Sequence, residues 1–408
     1  MEGYCFRKSH GPAPVPQKAE AASSSYIGFD RHDTHAALAA GAGDGVLVCE
    51  RPGGAGEVSL VSTSIPSHTA LDNSGFYSGG RYHWGRLTSP VCETASRFDT
   101  LIPSWQAKTP TGTWVEFELR VRSGGAWTRW FGMGVWASGT GSVERHSVDG
   151  QEEGSWRVLT DTLQSTGPVF ADAYRYRLTL FTEEWSVSPS VRSVCVAVSD
   201  SCRHGEYLEA QGDGSLWGRE LAVPVRSQMV YPDGGEAWCS PVSLSMVMAY
   251  WADRTGKKDL DQPVPAVVRR TYDYMYEGNG NWPFNTAYAS SLGLDASVRR
   301  FDSLEQVEWC VAVGLPVVAS IAWKNGHLSG APISCSEGHL LVIRGFDPLG
   351  NVVVNDPAGC DDSRVRRVYR RDEFAQAWFY SGSGGVAYLV YPDGSAPDRA
   401  VDAVRGSR

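Results

Sequence analysis

A change of residue pattern near position 210 constrains the fold of this chain more than any other feature. Before it, apolar and polar side chains alternate, most clearly over residues 113–122, where Val115, Phe117, Leu119 and Val121 are separated by charged residues. A period of two places one face of a strand in a core and the other in water. Turn signals recur between such runs, so we expect an antiparallel β-sandwich, jelly-roll-like, over residues 25–203.

After position 210, helix signals come first and short strands follow. Ser240 and Pro241 predict the N-cap and the first residue of a helix, and a second helix is predicted over residues 304–313. Four later runs are short and rich in branched or aromatic residues: 317–323, 339–346, 352–355 and 386–391. This order predicts an α+β domain with an antiparallel sheet over residues 221–395.

The segments outside these two domains are polar or rich in Ala, Pro, Ser and Gly. We expect a flexible lead-in over residues 1–24, a linker over residues 204–220 and a flexible tail over residues 396–408. Because the domain boundary is placed inside the linker, residues 215–408 are expected to fold on their own.

Charge and hydropathy exclude several classes of partner. With 37 Lys+Arg against 46 Asp+Glu, the net charge is -9, which disfavours nucleic acid and anionic lipid. The longest near-apolar stretch, residues 311–323, is interrupted by Gly314 and Pro316, so no transmembrane segment is predicted. The N-terminus lacks the apolar run of a signal peptide, which predicts a cytoplasmic protein unless a leader precedes this chain.

The chain has nine cysteines, an odd number, and they are scattered along the sequence. This pattern is typical neither of a disulfide framework nor of a zinc site. Cys195 and Cys202 flank a polar stretch and can pair in an oxidising compartment. Asp361 and Asp362 lack further oxygen ligands at loop spacing. We therefore predict no metal and no cofactor.

Cys239 is the candidate nucleophile. It directly precedes the predicted helix start, where unpaired backbone N–H groups and the helix dipole favour a negative charge. A thiol at such a position is biased toward the thiolate, which is the nucleophilic form. The alternative is that Cys239 is a small buried apolar residue.

His339 is the candidate base. It opens an apolar strand after a Gly-containing turn, whereas His327, the other histidine of this domain, lies in a loop-like segment. If the chain turns at residues 347–350, Asp356 lies on the same face of the hairpin as His339 and Asn355 on the opposite face. A carboxylate beside an imidazole fixes its tautomer and stabilises the imidazolium. The alternative for Asp356 is a turn residue.

These residues resemble the C39-like cysteine peptidases of the papain-like superfamily. The resemblance rests on Gln228, on residues 238–241, on residues 338–339 and on residues 355–357, and residues 281–287 are similar to bacterial two-domain members with a β-rich N-terminal region. It implies a papain-like fold for the C-terminal domain. It also raises the expectation that the protein is secreted, through a leader that precedes this chain.

The resemblance implies a role for each candidate residue. Cys239 is the nucleophile, His339 the general base and acid, Asp356 the residue that orients His339, and Gln228 a donor to the oxyanion. The family's glutamine usually lies closer to the cysteine, whereas Gln228 precedes Cys239 by eleven residues. The additional residues between Gln228 and Cys239 can form a projecting loop, because the Gly234-Gly235 pair allows a tight turn. Otherwise the backbone N–H of Cys239 and another donor must hold the oxyanion.

The implied substrate is a peptide or protein, cleaved at a peptide or amide bond through a thioester. A groove wall near the nucleophile is expected from Trp238, Trp282, Phe284 and Asn285. A transpeptidase-like acyl transfer needs the same residues, so the sequence does not separate the two reactions.

A binding protein is the alternative from another class. In it, the N-terminal sandwich binds a glycan or a peptide through exposed tryptophans. Trp114 is the candidate, because the alternation places it on the solvent-facing side of its strand. No P-loop motif is present, which argues against the fused peptidase of a peptide exporter.

Overall fold

The computed structural model describes residues 26–61, 67–70, 75–77, 80–206, 212–380 and 382–393. The predicted lead-in and tail lie outside them. The strands described up to residue 199 are β1 (Ile27–His32), β2 (Ala42–Asp44), β3 (Val46–Glu50), β4 (Gly56–Leu60), β5 (Ser67–Ala70), β6 (Gly80–Thr88), β7 (Cys92–Phe98), β8 (Thr100–Lys108), β9 (Thr113–Ser123), β10 (Ala126–Trp127), β11 (Phe131–Trp136), β12 (Glu152–Glu153), β13 (Trp156–Leu159), β14 (Thr162–Ser165), β15 (Ala171–Thr182) and β16 (Ser190–Ser199).

These strands form two antiparallel sheets. The first sheet has the order β12-β13-β14-β8-β16-β4-β3, with β1 also paired to β16. The second has the order β10-β9-β15-β6-β2, with β11 beside β9, β5 beside β6 and β7 beside β15. Apolar residues of both sheets belong to one core cluster. A short helix, α1 (His35–Ala39), follows β1.

The alternation predicted for residues 113–122 is confirmed in β9, where Val115, Phe117, Leu119 and Val121 are buried and the intervening residues are partly exposed. Trp114 lies on the other face but is only 2% exposed, because Val135, Phe181 and their neighbours form a second, smaller apolar cluster around it. The expectation of an exposed Trp114 is therefore wrong.

The elements of the C-terminal part are β17 (Arg219–Glu220), α2 (Cys239–Thr255), α3 (Val264–Thr271), α4 (Trp282–Ser291), β18 (Leu294–Arg300), α5 (Leu304–Ala312), β19 (Val317–Trp323), β20 (Ser336–Phe346), β21 (Val352–Asn355), β22 (Arg366–Tyr369), α6 (Arg371–Ala375) and β23 (Val386–Pro392). The strands form one antiparallel sheet with the order β18-β23-β19-β20-β21-β22, and β17 pairs with β20. Among the described residues, none of the helices is long and apolar enough to cross a membrane.

Two boundaries differ from the sequence prediction. α2 begins at Cys239, and Ser240, expected as its N-cap, lies in the first turn and bonds to the hydroxyl of Tyr388. The predicted linker ends inside the sheet, because Arg219 and Glu220 pair with β20. The helix predicted over residues 304–313 is confirmed by α5.

The two parts share an apolar core that is centred on α4. The ring of Phe284 packs 6.3 Å from Trp105 and 5.5 Å from Trp136, measured between ring centroids, and both tryptophans belong to the N-terminal sheets. Beside this contact, Asp295 of β18 accepts hydrogen bonds from Arg31 and Gln106. A fragment of residues 215–408 would expose this face to water. Contrary to the expectation from the sequence, we do not expect it to fold alone.

Phe284→Ala should lower the free energy of unfolding of the whole chain by about 3–5 kcal/mol, because it removes a fully buried ring from this core. Urea denaturation followed by tryptophan fluorescence measures the change. Leu349→Ala is the control, since Leu349 is 78% exposed and its truncation should alter stability by less than about 0.5 kcal/mol. Two separate transitions, only one of them shifted by Phe284→Ala, would contradict a shared core.

Candidate active site

Cys239 is the first residue of α2 and its thiol is half-buried. The imidazole of His339 and the backbone N–H groups of Leu340 and Ser240 lie near the thiol and lower its pKa against the effect of burial. Donors of this kind favour the thiolate, which accepts hydrogen bonds more strongly than the neutral thiol. The local geometry is therefore that of an activated thiol at a helix N-terminus.

His339 lies in β20, opposite Ile321 of β19, and is 2% exposed. Its Nε2 is 2.8 Å from Oδ1 of Asp356, which leaves Nδ1 as the ring nitrogen for the thiol. The indole of Trp323 meets the imidazole edge to face at a centroid distance of 5.7 Å. The sheet, Asp356 and Trp323 together hold the ring in one orientation.

Asp356 follows β21 and is fully buried. Besides His339, its carboxylate accepts hydrogen bonds from the backbone N–H of Ala358 at 3.0 Å and from the hydroxyl of Tyr369 at 2.6 Å. Asn355 faces away from this cluster: its amide accepts from Arg344 and donates to the carbonyls of residues 223 and 224. The hydrogen bond to His339 thus belongs to Asp356 and not to Asn355.

The pKa values of the three groups shift as a linked set. Burial opposes ionisation of Asp356, but the charge and hydrogen bonds of His339 and Tyr369 lower the pKa of its carboxyl. Burial also opposes protonation of His339, yet the charge of Asp356 and the thiolate raise the pKa of His339 to about 10. Against burial, the bond from His339 lowers the pKa of Cys239. These linked shifts favour a Cys239 thiolate beside a His339 imidazolium over the pair of neutral groups.

Gln228 is buried beside the segment that leads into α2. Its Nε2 donates to the carbonyl of Glu236 at 2.8 Å, and its backbone N–H donates to the carbonyl of Pro357. The eleven-residue spacing closes as a loop, because Gly234 takes a left-handed φ of 92° and a Cβ at Gly235 would lie 2.2 Å from the carbonyl oxygen of Gln228. The loop brings the residue three before Cys239 against the Gln228 side chain.

The four residues expected to form a groove wall lie in different environments. Trp238 is half-buried next to Cys239, with its ring 5.5 Å from that of Tyr231. Trp282 is 8% exposed, and Phe284 and Asn285 are fully buried. The amide of Asn285 donates to the carbonyls of residues 279 and 281. The expected open wall is therefore wrong for Phe284 and Asn285, because α4 lies between the two parts of the chain.

Sequence reasoning missed three residues at the site. Tyr369 holds Asp356, Trp323 covers His339, and the hydroxyl of Tyr388 bonds to Ser240 at 2.9 Å. Each is an aromatic residue in an apolar strand, which looks the same in sequence as any core residue. Only their position opposite the site in the sheet distinguishes them.

Within the described residues, one group of acidic and thiol side chains brings possible metal ligands within 4.8 Å: Asp99, Asp200 and Cys202. The carboxylate of Asp99 already accepts two hydrogen bonds from Ser201, and that of Asp200 accepts from Cys202 and Arg97.

Cys202 is exposed and Cys195 is buried, and the two are not joined by a disulfide.

A thiol, an imidazole and a buried carboxylate placed in this order can supply the nucleophile, base and orienting group of a cysteine-type hydrolase. Residues 28–199 match the family model of the peptidase C39 N-terminal domain, and residues 220–386 match that of the peptidase C39-like family. The chain belongs to the C39-like cysteine peptidase family.

One solved structure, from Bacillus anthracis and provisionally described as a C39-like peptidase, is 19% identical to this chain, with a TM-score of 0.29. The alignment covers 43% of this chain and 98% of that chain. None of the curated proteins matches the chain.

Asp356→Ala should lower kcat by roughly 10²- to 10⁴-fold, because the imidazolium of His339 loses its buried counter-charge and its fixed orientation. Steady-state hydrolysis of a peptide substrate measures the change. Asn355→Ala is the matched neighbour: it should cost about 1–3 kcal/mol of stability through its lost amide bonds, and it should change kcat little. The opposite result, in which only Asn355→Ala silences turnover, would make an amide the partner of His339.

Alkylation of Cys239 by iodoacetamide should stay fast at about pH 6, where an ordinary thiol is almost entirely protonated. The sign follows from the two shifts: the lowered pKa of Cys239 extends the thiolate to lower pH than in an ordinary thiol, and the raised pKa of His339 keeps the imidazolium up to about pH 10. Mass spectrometry of labelled peptides compares Cys239 with Cys335, an exposed cysteine near the start of β20. Equal rates at the two cysteines would contradict the ion pair.

Proposed function

We propose that this protein is a cysteine peptidase or amidohydrolase that cleaves a peptide or amide bond. The observation that carries the proposal is that the Cys239 thiol, at a helix start, has its pKa lowered by the imidazole of His339, whose Nε2 is 2.8 Å from the buried carboxylate of Asp356. Membership of the C39-like family supports the same conclusion.

In the proposed reaction, the thiolate of Cys239 attacks the carbonyl carbon of the substrate. His339 donates the proton on Nδ1 to the leaving amine, which departs as a thioester forms on Cys239. The now neutral His339 takes a proton from water, and the hydroxide attacks the thioester and releases the acid. Asp356 stays ionised throughout and balances the imidazolium. An amine in place of this water gives the acyl-transfer variant.

The oxyanion of the tetrahedral intermediate needs donors beside the sulfur. We assign this role to the backbone N–H of Cys239 and to the side-chain amide of Gln228. An amide nitrogen carries two hydrogens, and the bond to Glu236 uses one of them. The loop of residues 229–237 keeps Gln228 close to the start of α2, which supports the assignment despite its long spacing in sequence.

We also propose the finer architecture. A papain-like arrangement for residues 221–395 is supported by α2 packed on an antiparallel sheet that carries His339, and the strand pairing of β17 adds residues 219–220 to this domain. A jelly-roll-like sandwich for residues 25–203 is supported by two antiparallel sheets with one core. Among the candidate groove residues, Trp238 keeps a proposed contact with substrate because its side chain is partly open.

The full chain should cleave peptides from a mixed library, and an acyl adduct on Cys239 should be seen by mass spectrometry after rapid acid quenching. Cys239→Ala should abolish both signals, because no thioester can form. Adding an amine nucleophile such as glycinamide separates the two reactions: hydrolysis gives a free acid, and acyl transfer gives the amide.

Cys335→Ala is the control, since this thiol is exposed and is not among the groups that shift the pKa of Cys239 or His339. Slow and uniform alkylation of all cysteines, together with no adduct, would favour a binding protein over an enzyme.

A further inference from the structure

The first turn of α4 is hydrogen-bonded to a residue of the N-terminal part of the chain. The backbone N–H of Trp282, the first residue of this ten-residue helix, donates to Oδ2 of Asp161 at 2.8 Å. The next backbone N–H, that of Phe284, donates to the side-chain oxygen of Asn281, the residue directly before the helix. A carboxylate at a helix N-terminus satisfies an orphan donor and complements the helix dipole. One of the two side chains that satisfy the first N–H groups of this helix therefore comes from the other part.

Asp161 is presented by a strained hairpin tip. It is fully buried, and it lies with Thr160 between β13 and β14. Thr160 has a φ of 55°, a left-handed conformation that a β-branched residue rarely adopts. Strain of this kind persists only where the surroundings enforce it, and it is common at functional positions. Here it aims a carboxylate into the C-terminal part.

A second contact holds the same helix end. Asp273, in the loop between α3 and α4, accepts the backbone N–H of Ser147 from the N-terminal part at 2.9 Å and the side-chain amide of Asn281 at 2.8 Å. Arg145 also donates to the carbonyls of residues 269 and 272. The N-terminal part thus fixes both the first turn of α4 and the loop before it.

From α4 the contacts lead to the nucleophile. α4 packs against α2, which begins at Cys239, and against β23, which carries Tyr388. The Tyr388 hydroxyl bonds to Ser240, the residue after Cys239. The pKa of Tyr388 is raised by burial and by the charges of Asp161 and Cys239, so both groups lie within electrostatic reach of its hydroxyl.

We propose that Asp161 is a positioning residue of the active site, which fixes α4 and through it the start of α2 at Cys239. The inference rests on the proposed function, and it assigns the N-terminal part a role in building the site rather than in binding a separate ligand. Asp161 itself does not touch the reacting atoms. It acts through Trp282, α4 and the Tyr388–Ser240 bond.

Three substitutions in the full chain separate geometry from charge. Asp161→Ala removes the acceptor and should lower kcat by about 10- to 100-fold, since small displacements of reacting groups have effects of this size. Asp161→Glu keeps the charge but moves the oxygen by one methylene, and should lower kcat nearly as much. Asp161→Asn keeps the acceptor in place and should retain kcat within about threefold.

Asp200→Ala is the matched control. Asp200 is also buried in the N-terminal part and caps a backbone N–H, that of Cys202, but its hydrogen bonds go to Cys202 and Arg97 within that part. It should lower the melting temperature without changing kcat or the pH profile of Cys239 alkylation. A purely structural role for Asp161 predicts that Asp161→Ala behaves in the same way, and that result would overturn the proposal.

Iodoacetamide alkylation of Cys239 as a function of pH gives a second readout that needs no substrate. Asp161→Ala and Asp161→Glu should shift the midpoint of this profile toward the ordinary thiol value, whereas Asp161→Asn should not. If the wild-type protein cleaves no peptide, the proposed function fails but this profile still tests Asp161. If Asp161→Ala does not fold, Asp161→Glu carries the test, and an unshifted profile with unchanged kcat in that variant contradicts the proposal.

Discussion

The ionised carboxylate of Asp356, held in a fully buried position, is the constraint on which the rest of the site depends. A buried charge is tolerated only when it is paired and hydrogen-bonded, and Asp356 meets this condition through Tyr369, Ala358 and His339. Its charge raises the pKa of His339, and His339 in turn lowers the pKa of Cys239. Tyr369 therefore influences the thiol through two intervening groups.

The local patterns were enough to predict much of this arrangement. Strand alternation identified the buried face of β9, and the spacing around the turn at residues 347–350 placed Asp356 on the side of His339. Both predictions depend on neighbours in sequence or across one hairpin. The start of α2 was displaced by two residues, because Ser240 bonds to Tyr388 instead of capping the helix.

Long-range packing could not be predicted in the same way. An apolar run such as that of α4 looks identical in sequence whether it lines a groove or packs against another part of the chain. For Phe284 the outcome is decided by Trp105 and Trp136, which lie more than a hundred residues earlier. Trp114 was misjudged for the same reason, since a second apolar cluster covers the face that alternation assigns to water.

An ionised thiol is also a thiol open to oxidation. Burial raises the pKa of Cys195 to about 11 and raises that of Cys92, so these cysteines remain protonated and protected. Cys239 is half-buried with a lowered pKa, and thiolates react with peroxide far faster than thiols do. The shift that prepares Cys239 for attack thus makes it easier to oxidise to a sulfenic acid than Cys92 or Cys195.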